Sequence, residues 1–263
     1  MVKKWEELTA DEKQEEMFNK WLSPQGVEFV NRQAEKAYKE RVTRIKDAIQ
    51  LKKKPDRIPV IPLPSFFPAY YTGVTPYDVM YDYDKCVDAW TKFVLDFKPD
   101  AHMGCAGPGS GKFYEMMDYK LYSWPGHGVA PNCSYQANEG EYMTADEYDD
   151  LIEDPSHYFS NVYLPRVFGS LEGWKMLPAL TGILEIYGVA FNFLPFGLPP
   201  VQASYKTLFE AGAEALKWAG KVMGFDTDMA ARGFPSLPAE NRSSPPSGGH
   251  SSAARSSTPG AAA

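Results

Sequence analysis

The chain has 263 residues, 44% of them hydrophobic, so it is long enough to bury the core of one large or two small domains. Its formal net charge is -7, which excludes a nucleic-acid surface of the usual basic kind. The N-terminus lacks the apolar core of a signal peptide and no apolar run is long enough to span a bilayer, so we expect neither secretion nor a membrane partner.

The number of cysteines indicates the redox state of the cellular compartment. Cys86, Cys105 and Cys133 are an odd and sparse set, unlike the dense pairs of a disulfide framework. They favour a reducing environment, and we expect a soluble, cytoplasmic protein.

The first 56 residues are predicted to be helical. Thr9 and Glu12 have the spacing of a capping box, which opens a first, charged helix. A second helix is predicted from about residue 27 to residue 52, because apolar side chains recur there at helical intervals.

Residues 57–63 are predicted to form the first strand. Pro59, Pro62 and Pro64 each withhold an amide hydrogen in or next to this stretch. The strand must therefore be short or irregular, or lead quickly into a loop.

The first predicted strand begins a strand–helix–strand unit. Thr75-Pro76-Tyr77-Asp78 is typical of a helix N-terminus, and a stripe of apolar residues over 86–97 predicts the next helix. Residues 100–107 are small and apolar, and they are predicted to form a second strand that enters a glycine-rich loop. Such a unit is the repeat of a parallel sheet or barrel.

The second half is predicted to be mostly helical. Residues 112–142 are ambiguous and compatible with a hairpin. A capping box at 144–147 opens a helix that is predicted to end near residues 154–155, and further helix is predicted over 156–171. A third strand is possible at 180–187. Residues 199–224 have the clearest helical periodicity and end in a glycine.

The composition changes abruptly near residue 236. Residues 236–263 consist mainly of Ser, Pro, Ala and Gly, which cannot bury enough apolar area to offset the chain entropy lost on folding. We expect a disordered tail. It is either a natural flexible segment or, as the abrupt change favours, the product of a frameshift.

Two sequence patterns resemble ligand-binding motifs without matching them fully. The loop Gly107-Pro108-Gly109-Ser110-Gly111-Lys112 has Ala106 and Phe113 where a phosphate-binding P-loop needs glycine and a hydroxyl residue. His102, Cys105, His127 and Cys133 are zinc-ligand types, but their spacing matches no compact zinc module. We therefore predict no metal site.

Aromatic residues cluster after both predicted strands. Phe66, Phe67, Tyr70 and Tyr71 follow the first strand, and Tyr114, Tyr119, Tyr122 and Trp124 follow the second. Such walls suit a large planar ligand such as a tetrapyrrole, although ordinary packing is an alternative for each residue. The substrate-binding candidates are Phe66, Tyr70, Tyr71 and Cys105, which ends the second strand.

The order of these elements resembles the uroporphyrinogen decarboxylase superfamily, which includes that decarboxylase and the methylcobalamin:coenzyme M methyltransferases. The resemblance is carried by RVTRIKDAIQLKKKPDRIPV at 41–60, by Thr75-Pro76-Tyr77-Asp78, by Asp84-Lys85-Cys86-Val87 and by Phe97-Lys98-Pro99-Asp100-Ala101. It implies a TIM (β/α)8 barrel with its site at the C-terminal mouth. On this basis the α/β chain is an incomplete barrel: N-terminal helices at 1–56, the first part of the barrel at 57–235 and the tail at 236–263.

The chain departs from the decarboxylases of that superfamily. Their arginine-rich motif after the first strand is replaced here by Leu63-Pro64-Ser65-Phe66-Phe67, and their aspartate after the second strand by Cys105-Ala106-Gly107-Pro108. Without cations, an anionic porphyrinogen would be poorly held. The methyltransferase branch is therefore the closer one.

That branch implies a cobamide, a corrinoid-protein or small-molecule substrate, and a zinc that activates a thiol. The zinc ligands would belong to later strands, which this chain does not contain, so no catalytic residue can be assigned. The first hypothesis is a truncated, inactive form of a corrinoid methyltransferase. The alternatives are a tetrapyrrole decarboxylase anchored by Lys112 and Arg166, and a fragment without catalytic activity.

Overall fold

The computed structural model describes residues 4–179 and 188–237. Helices dominate this part of the chain, and none of them is long and apolar enough to cross a membrane. The α-helices are α1 (Ala10–Leu22), α2 (Arg32–Gln50), α3 (Phe67–Thr72), α4 (Pro76–Tyr81), α5 (Tyr83–Phe97), α6 (Gly111–Met117), α7 (Tyr148–Glu153), α8 (Pro155–Tyr158), α9 (Leu164–Val167), α10 (Val189–Phe193) and α11 (Pro199–Ala231). The strands are β1 (Tyr122–Pro125), β2 (Gly128–Val129) and β3 (Gln136–Ala137).

Shorter helical pieces complete the described chain. Four are 3-10 helices, at Trp5–Glu7, Ala145–Glu147, Gly169–Met176 and Leu194–Gly197, and a π-helix covers Phe159–Tyr163. The helix predicted over 156–171 is therefore broken into short pieces of different pitch. Pro165 explains part of this, because it has no amide hydrogen to continue a helical ladder.

The N-terminal helices form as the sequence predicts. Thr9 and Glu12 make both hydrogen bonds of the capping box at the start of α1. The second helix is shorter than the predicted range of 27–52. It begins after Asn31, whose side chain accepts the amide hydrogen of Ala34, and it ends at Leu51 in a left-handed conformation.

The main core lies between α5, α11 and the aromatic region that precedes residue 136. The predicted stripe of α5 is confirmed, since Cys86, Trp90 and Val94 are all buried. They pack in one cluster with Phe225 and Met229 of α11. Burial of such side chains is the main source of stability in a domain of this kind.

The predicted strands at 57–63 and 100–107 do not form regular strands, which corrects the sequence interpretation. The two segments lie beside each other at one point, where the amide of Asp100 donates a 2.8 Å hydrogen bond to the carbonyl of Val60, and Gly104, with a φ of 73°, interrupts the second segment. The prolines explain the irregularity, because they remove the amide hydrogens that a continuous ladder would need.

A third extended segment, residues 233–237, lies beside the second. The amide of His102 donates to the carbonyl of Pro235 at 3.1 Å, and the amide of Leu237 donates to the carbonyl of His102 at 2.9 Å, which forms a parallel bridge between His102 and Ser236. The expectation that disorder begins at residue 236 is therefore wrong for Ser236 and Leu237. The possible third strand at 180–187 and the tail from residue 238 lie outside the described residues.

The ambiguous region 112–142 contains a helix and a small sheet instead of a simple hairpin. The strand order is β2–β1–β3, with β1 and β2 parallel and β1 and β3 antiparallel. Gly126, with a φ of 80°, lies in the tight turn between β1 and β2. The described chain is thus a helix-rich, mixed α/β structure.

Candidate ligand-binding site

An aromatic cavity of about 280 Å³ lies at the carboxyl end of the 100–107 segment. Its lining consists of one glycine and five aromatic residues: Gly107, Tyr114, Tyr119, Tyr122, Trp124 and Tyr135. Four of these aromatics belong to the set that the sequence places after the second predicted strand. We call this feature the aromatic cavity.

Local structure places these rings on three different elements. Ser110 caps α6 by accepting the amide hydrogen of Phe113, and α6 carries Tyr114. Tyr122 and Trp124 are two residues apart on β1, so their side chains lie on the same face of the strand. The antiparallel pairing of β1 with β3 brings Tyr135, which directly precedes β3, to the same place.

The rings contact one another around the cavity at crossing angles. The centroids of Tyr114 and Trp124 are 5.5 Å apart with planes at 64°, and those of Tyr122 and Tyr135 are 6.4 Å apart at 72°. Tyr119 lies 5.4 Å from Tyr114 and 6.1 Å from Tyr122. Edge-to-face and tilted contacts of this kind stabilise aromatic clusters.

The glycine-rich loop at 107–112 allows the aromatic rings to pack closely against it. Gly109 has a φ of 71°, and a side chain there would collide with the ring of Tyr114. A side chain at Gly111 would collide with the ring of Tyr81. These glycines therefore allow close approach of aromatic rings, which explains a loop that resembles a phosphate-binding motif without completing one.

The phenols of Tyr114 and Tyr135 stay neutral in the ordinary pH range. Burial raises the pKa of Tyr114 and the pKa of Tyr135 above the usual value, because the charged form loses its hydration. The hydroxyl of Tyr135 also donates to the backbone carbonyl of Pro108. The lining thus presents π-faces and neutral hydroxyl groups.

A hydrogen-bond chain connects the cavity to a carboxylate. The indole Nε1–H of Trp124 donates to the hydroxyl of Tyr81 at 3.1 Å, and that hydroxyl donates to Glu115 at 2.6 Å. Burial and the bond to Glu115 raise the pKa of Tyr81, so it remains a donor. This chain fixes the orientation of the indole, which is 1% exposed.

The four residues predicted for substrate binding do not come together in one site. Phe66 is buried behind the cavity, with its ring centroid 5.0 Å from that of Tyr135. Tyr70 and Tyr71 are half-exposed, and their hydroxyls donate to the carbonyl of Asn132 and to Asp96. Phe66 alone adjoins the cavity.

Cys105 is buried and lies outside the lining. Its backbone carbonyl accepts a hydrogen bond from the thiol of Cys86 at 3.5 Å. This contact and burial raise the pKa of Cys86, so its thiol is held in the unreactive protonated form. The pair belongs to the main core.

The possible zinc ligands do not fit a metal site. His102 uses one ring nitrogen to accept from the amide of Gly104 at 3.1 Å, and its other nitrogen lies 3.3 Å from the carbonyl of Phe234. His127 stacks on Trp124 at 4.2 Å, whereas Cys133 is exposed. Within residues 4–179 and 188–237, no group of three or more His, Cys, Asp or Glu side chains could hold a metal ion.

Two larger depressions have different characters. One, of about 930 Å³, runs along the charged face of α2 and is lined mainly by lysines, arginines and acids. The other, of about 660 Å³, is an apolar groove between α1, α2, Ile61 and Leu237. The aromatic cavity differs from both in its lining of four tyrosines and a tryptophan, so we take it as the candidate ligand site.

Comparison with known proteins adds no assignment, since no protein-family model, curated protein or solved structure matches the chain. The function must therefore be argued from the geometry and from the sequence patterns.

Proposed function

We propose that the chain is the first part of a (β/α)8 barrel of the uroporphyrinogen decarboxylase superfamily. The activity that we propose for the parent protein is cobamide-linked methyl transfer, with the aromatic cavity at the ligand-binding mouth. The single observation that carries the proposal is the arrangement of the three extended segments, 57–63, 100–107 and 233–237.

The first two segments follow each other in the chain with helices between them, and the third follows after a long connection that contains further helices and the small sheet β1–β3. The first lies beside the second through the bond between Val60 and Asp100, and the second lies beside the third through His102. Helix α5 separates the first from the second, and α11 precedes the third. Consecutive parallel strands connected through helices are the repeat of a barrel.

The position of the aromatic cavity agrees with this proposal. Gly107, at the carboxyl end of the second segment, lines the cavity, and Phe66, after the first segment, lies directly behind it. Barrels place their sites at the carboxyl ends of their strands. The proposal therefore assigns ligand binding to this end.

Decarboxylation of a tetrapyrrole is the less favoured alternative, because the cations it would use are engaged elsewhere. Arg166 pairs with Glu147 at 2.5 Å and also donates to the carbonyl of Tyr142. The ammonium of Lys112 lies 5.1 Å from the ring centroid of Tyr83. An anionic substrate would need such groups free and directed at its carboxylates.

The residues described do not fit the zinc that the methyltransferase branch uses, so the proposal assigns no metal ligand and no catalytic residue. It concerns the fold and the class of ligand. The third possibility, a fragment without catalytic activity, makes the opposite prediction for ligand binding.

Two spectroscopic titrations of the full chain test the proposal. We expect methylcobalamin to be retained in equilibrium dialysis and to quench tryptophan fluorescence, and we expect the Soret band of added uroporphyrin to stay unchanged. A shifted Soret band without cobalamin retention would favour the decarboxylase alternative. Retention of neither ligand would favour the fragment without catalytic activity.

A matched pair of variants locates the site. Tyr122→Ala removes a half-exposed ring of the cavity, and Tyr148→Ala removes an exposed ring on α7 outside it. Weaker retention of methylcobalamin is expected for the first variant only. Equal effects of both substitutions would show that the ligand binds elsewhere.

A further inference from the structure

We propose that the aromatic cavity is a binding site for quaternary ammonium ions, such as the trimethylammonium head of choline. This inference rests on the geometry of the cavity and does not depend on the reaction proposed above. It has four supports: the crossing of the rings, the charge of the lining, the polarisation of Trp124 and the volume.

The rings surround the cavity from several sides and do not form two parallel walls. A flat ligand needs two parallel faces with an open gap between them, whereas the neighbouring rings here touch at centroid distances of 5.4 to 6.4 Å. Tyr114 and Trp124, and also Tyr122 and Tyr135, meet at steep angles. The other two neighbouring pairs, Tyr114 with Tyr119 and Tyr119 with Tyr122, are closer to parallel at 31° and 26°, and one face of Trp124 is covered by His127. Faces that converge from more than one direction suit a rounded cation, because an accessible ring offers the negative centre of its quadrupole.

The charge pattern favours a cation that carries no N–H groups. The lining, as far as the structure describes it, has no carboxylate to accept from a primary ammonium. An ammonium with three donors would lose hydrogen bonds to water on entry, whereas a fully methylated nitrogen has none to lose. No lysine or arginine of the described lining repels a cation, and the whole chain carries a net charge of -7.

Trp124 is polarised in the direction that strengthens this attraction. Its N–H donates to Tyr81, which in turn donates to the carboxylate of Glu115. Hydrogen bonds in such a chain reinforce one another, and donation towards a carboxylate increases the electron density of the indole. Trp is also the best of the aromatic side chains for binding a cation.

The volume agrees with a small ligand. At about 280 Å³ the cavity lies just below the range of roughly 300–1,000 Å³ that is typical of drug-sized ligands. A trimethylammonium head with a short chain fits this space.

The decisive experiment compares two ligands of the same shape by calorimetric titration of the full chain. Choline carries the charged nitrogen, and 3,3-dimethylbutan-1-ol has a neutral carbon in its place. We expect choline to bind at least about tenfold more tightly than the alcohol, because only the cation is attracted by the rings. Equal affinities for the two ligands would show that the cavity is only a hydrophobic pocket. Lack of choline binding would overturn the proposal.

Variants then assign the binding to these rings. Tyr122→Ala should weaken choline binding by about tenfold, whereas Tyr122→Phe, which keeps the π-face, and Tyr148→Ala, outside the lining, should preserve it. Full choline affinity in a folded Tyr122→Ala variant would contradict the assignment. The comparison of the two ligands on the unsubstituted chain decides the question even if this variant does not fold.

Discussion

Replacement of Asp100 by alanine is expected to be among the most damaging single changes in the described chain. The Asp100 side chain is fully buried, and it accepts hydrogen bonds from Arg44 at 2.5 Å and from Arg57 at 2.6 and 2.7 Å. It also accepts the amide hydrogen of Val60 at 2.8 Å. One carboxylate thus joins α2, the first extended segment and the second.

The size of the expected loss in unfolding free energy follows from the charged groups that would lose their partner. Arg44 is only 11% exposed and would keep its pair with Asp56 at 2.6 Å, but Arg57 and the amide of Val60 would also lose an acceptor, so the loss of this buried carboxylate should cost about 3–5 kcal/mol. A domain is typically stable by about 5–15 kcal/mol, so this is a large fraction of the total. With a urea slope of about 2 kcal/mol per molar, the unfolding midpoint should fall by roughly 2 M.

Urea unfolding followed by circular dichroism measures this loss. Asp228→Ala is the control, because Asp228 pairs with Arg232 on the exposed face of α11 and such pairs contribute only about 0–1 kcal/mol. Asp100→Asn, which keeps the shape and one acceptor, should fall between the two. A loss below about 1 kcal/mol for Asp100→Ala would refute the view that this carboxylate holds the segments together.

Three further changes test other parts of the structure. Met229→Ala should cost about 2–5 kcal/mol in urea unfolding because the side chain is fully buried, whereas Met223→Ala on the exposed face of the same helix should cost far less. Gly233→Ala should destabilise more than Gly26→Ala: both residues have positive φ, but only at Gly233 would the new methyl lie 2.6 Å from a backbone carbonyl oxygen of α2. The pKa of Asp78 is lowered to about 2, chiefly by a hydrogen bond from a lysine, so its stabilisation is complete above about pH 4 and is lost as the pH falls through 2. Asp78→Asn should therefore flatten the decrease in unfolding free energy between pH 4 and pH 2, and an unchanged decrease would contradict this assignment.

Helices with strong local signals could be predicted from the sequence. The capping box at Thr9 and the N-cap at Thr75 with its following proline open helices as expected, and the apolar spacing on α5 corresponds to its buried face. These signals act between residues three or four apart, so they need no knowledge of the rest of the fold.

Helix α11 shows how tertiary packing overrides a local signal. The sequence predicts an end near Gly224, but the helix continues to Ala231. Phe225 and Met229 are buried in the main core, and this burial outweighs the cost of a glycine within the helix.

The strands predicted at 57–63 and 100–107 do not form as regular strands, and the pairing of residue 102 with residue 236 is not predicted from the sequence. The prolines at 59, 62 and 64 limit the ladder, and the partner of residues 100–107 lies more than 130 residues later, in the 233–237 segment. A periodic pattern within one segment holds no information about such a distant partner.

Four of the five aromatic rings of the cavity were found from the sequence because they follow the second segment directly. Tyr135 was missed, since it lies in a turn-rich region without helical or alternating spacing. Its place depends on the register of β1 and β3, in which Ser123 is opposite Gln136. The signal that could have identified Tyr135 is its position next to a short segment that can pair with β1 as a hairpin.

Amide hydrogen exchange measured by NMR tests the side-by-side arrangement of these three segments most directly. The amides of Asp100, His102 and Leu237 donate to the carbonyls of the neighbouring segments, so they should exchange far more slowly than the amide of the exposed residue Ile58. Slow exchange at all three positions is the predicted result. Exchange of these amides as fast as that of Ile58 would contradict the arrangement and, with it, the proposed barrel.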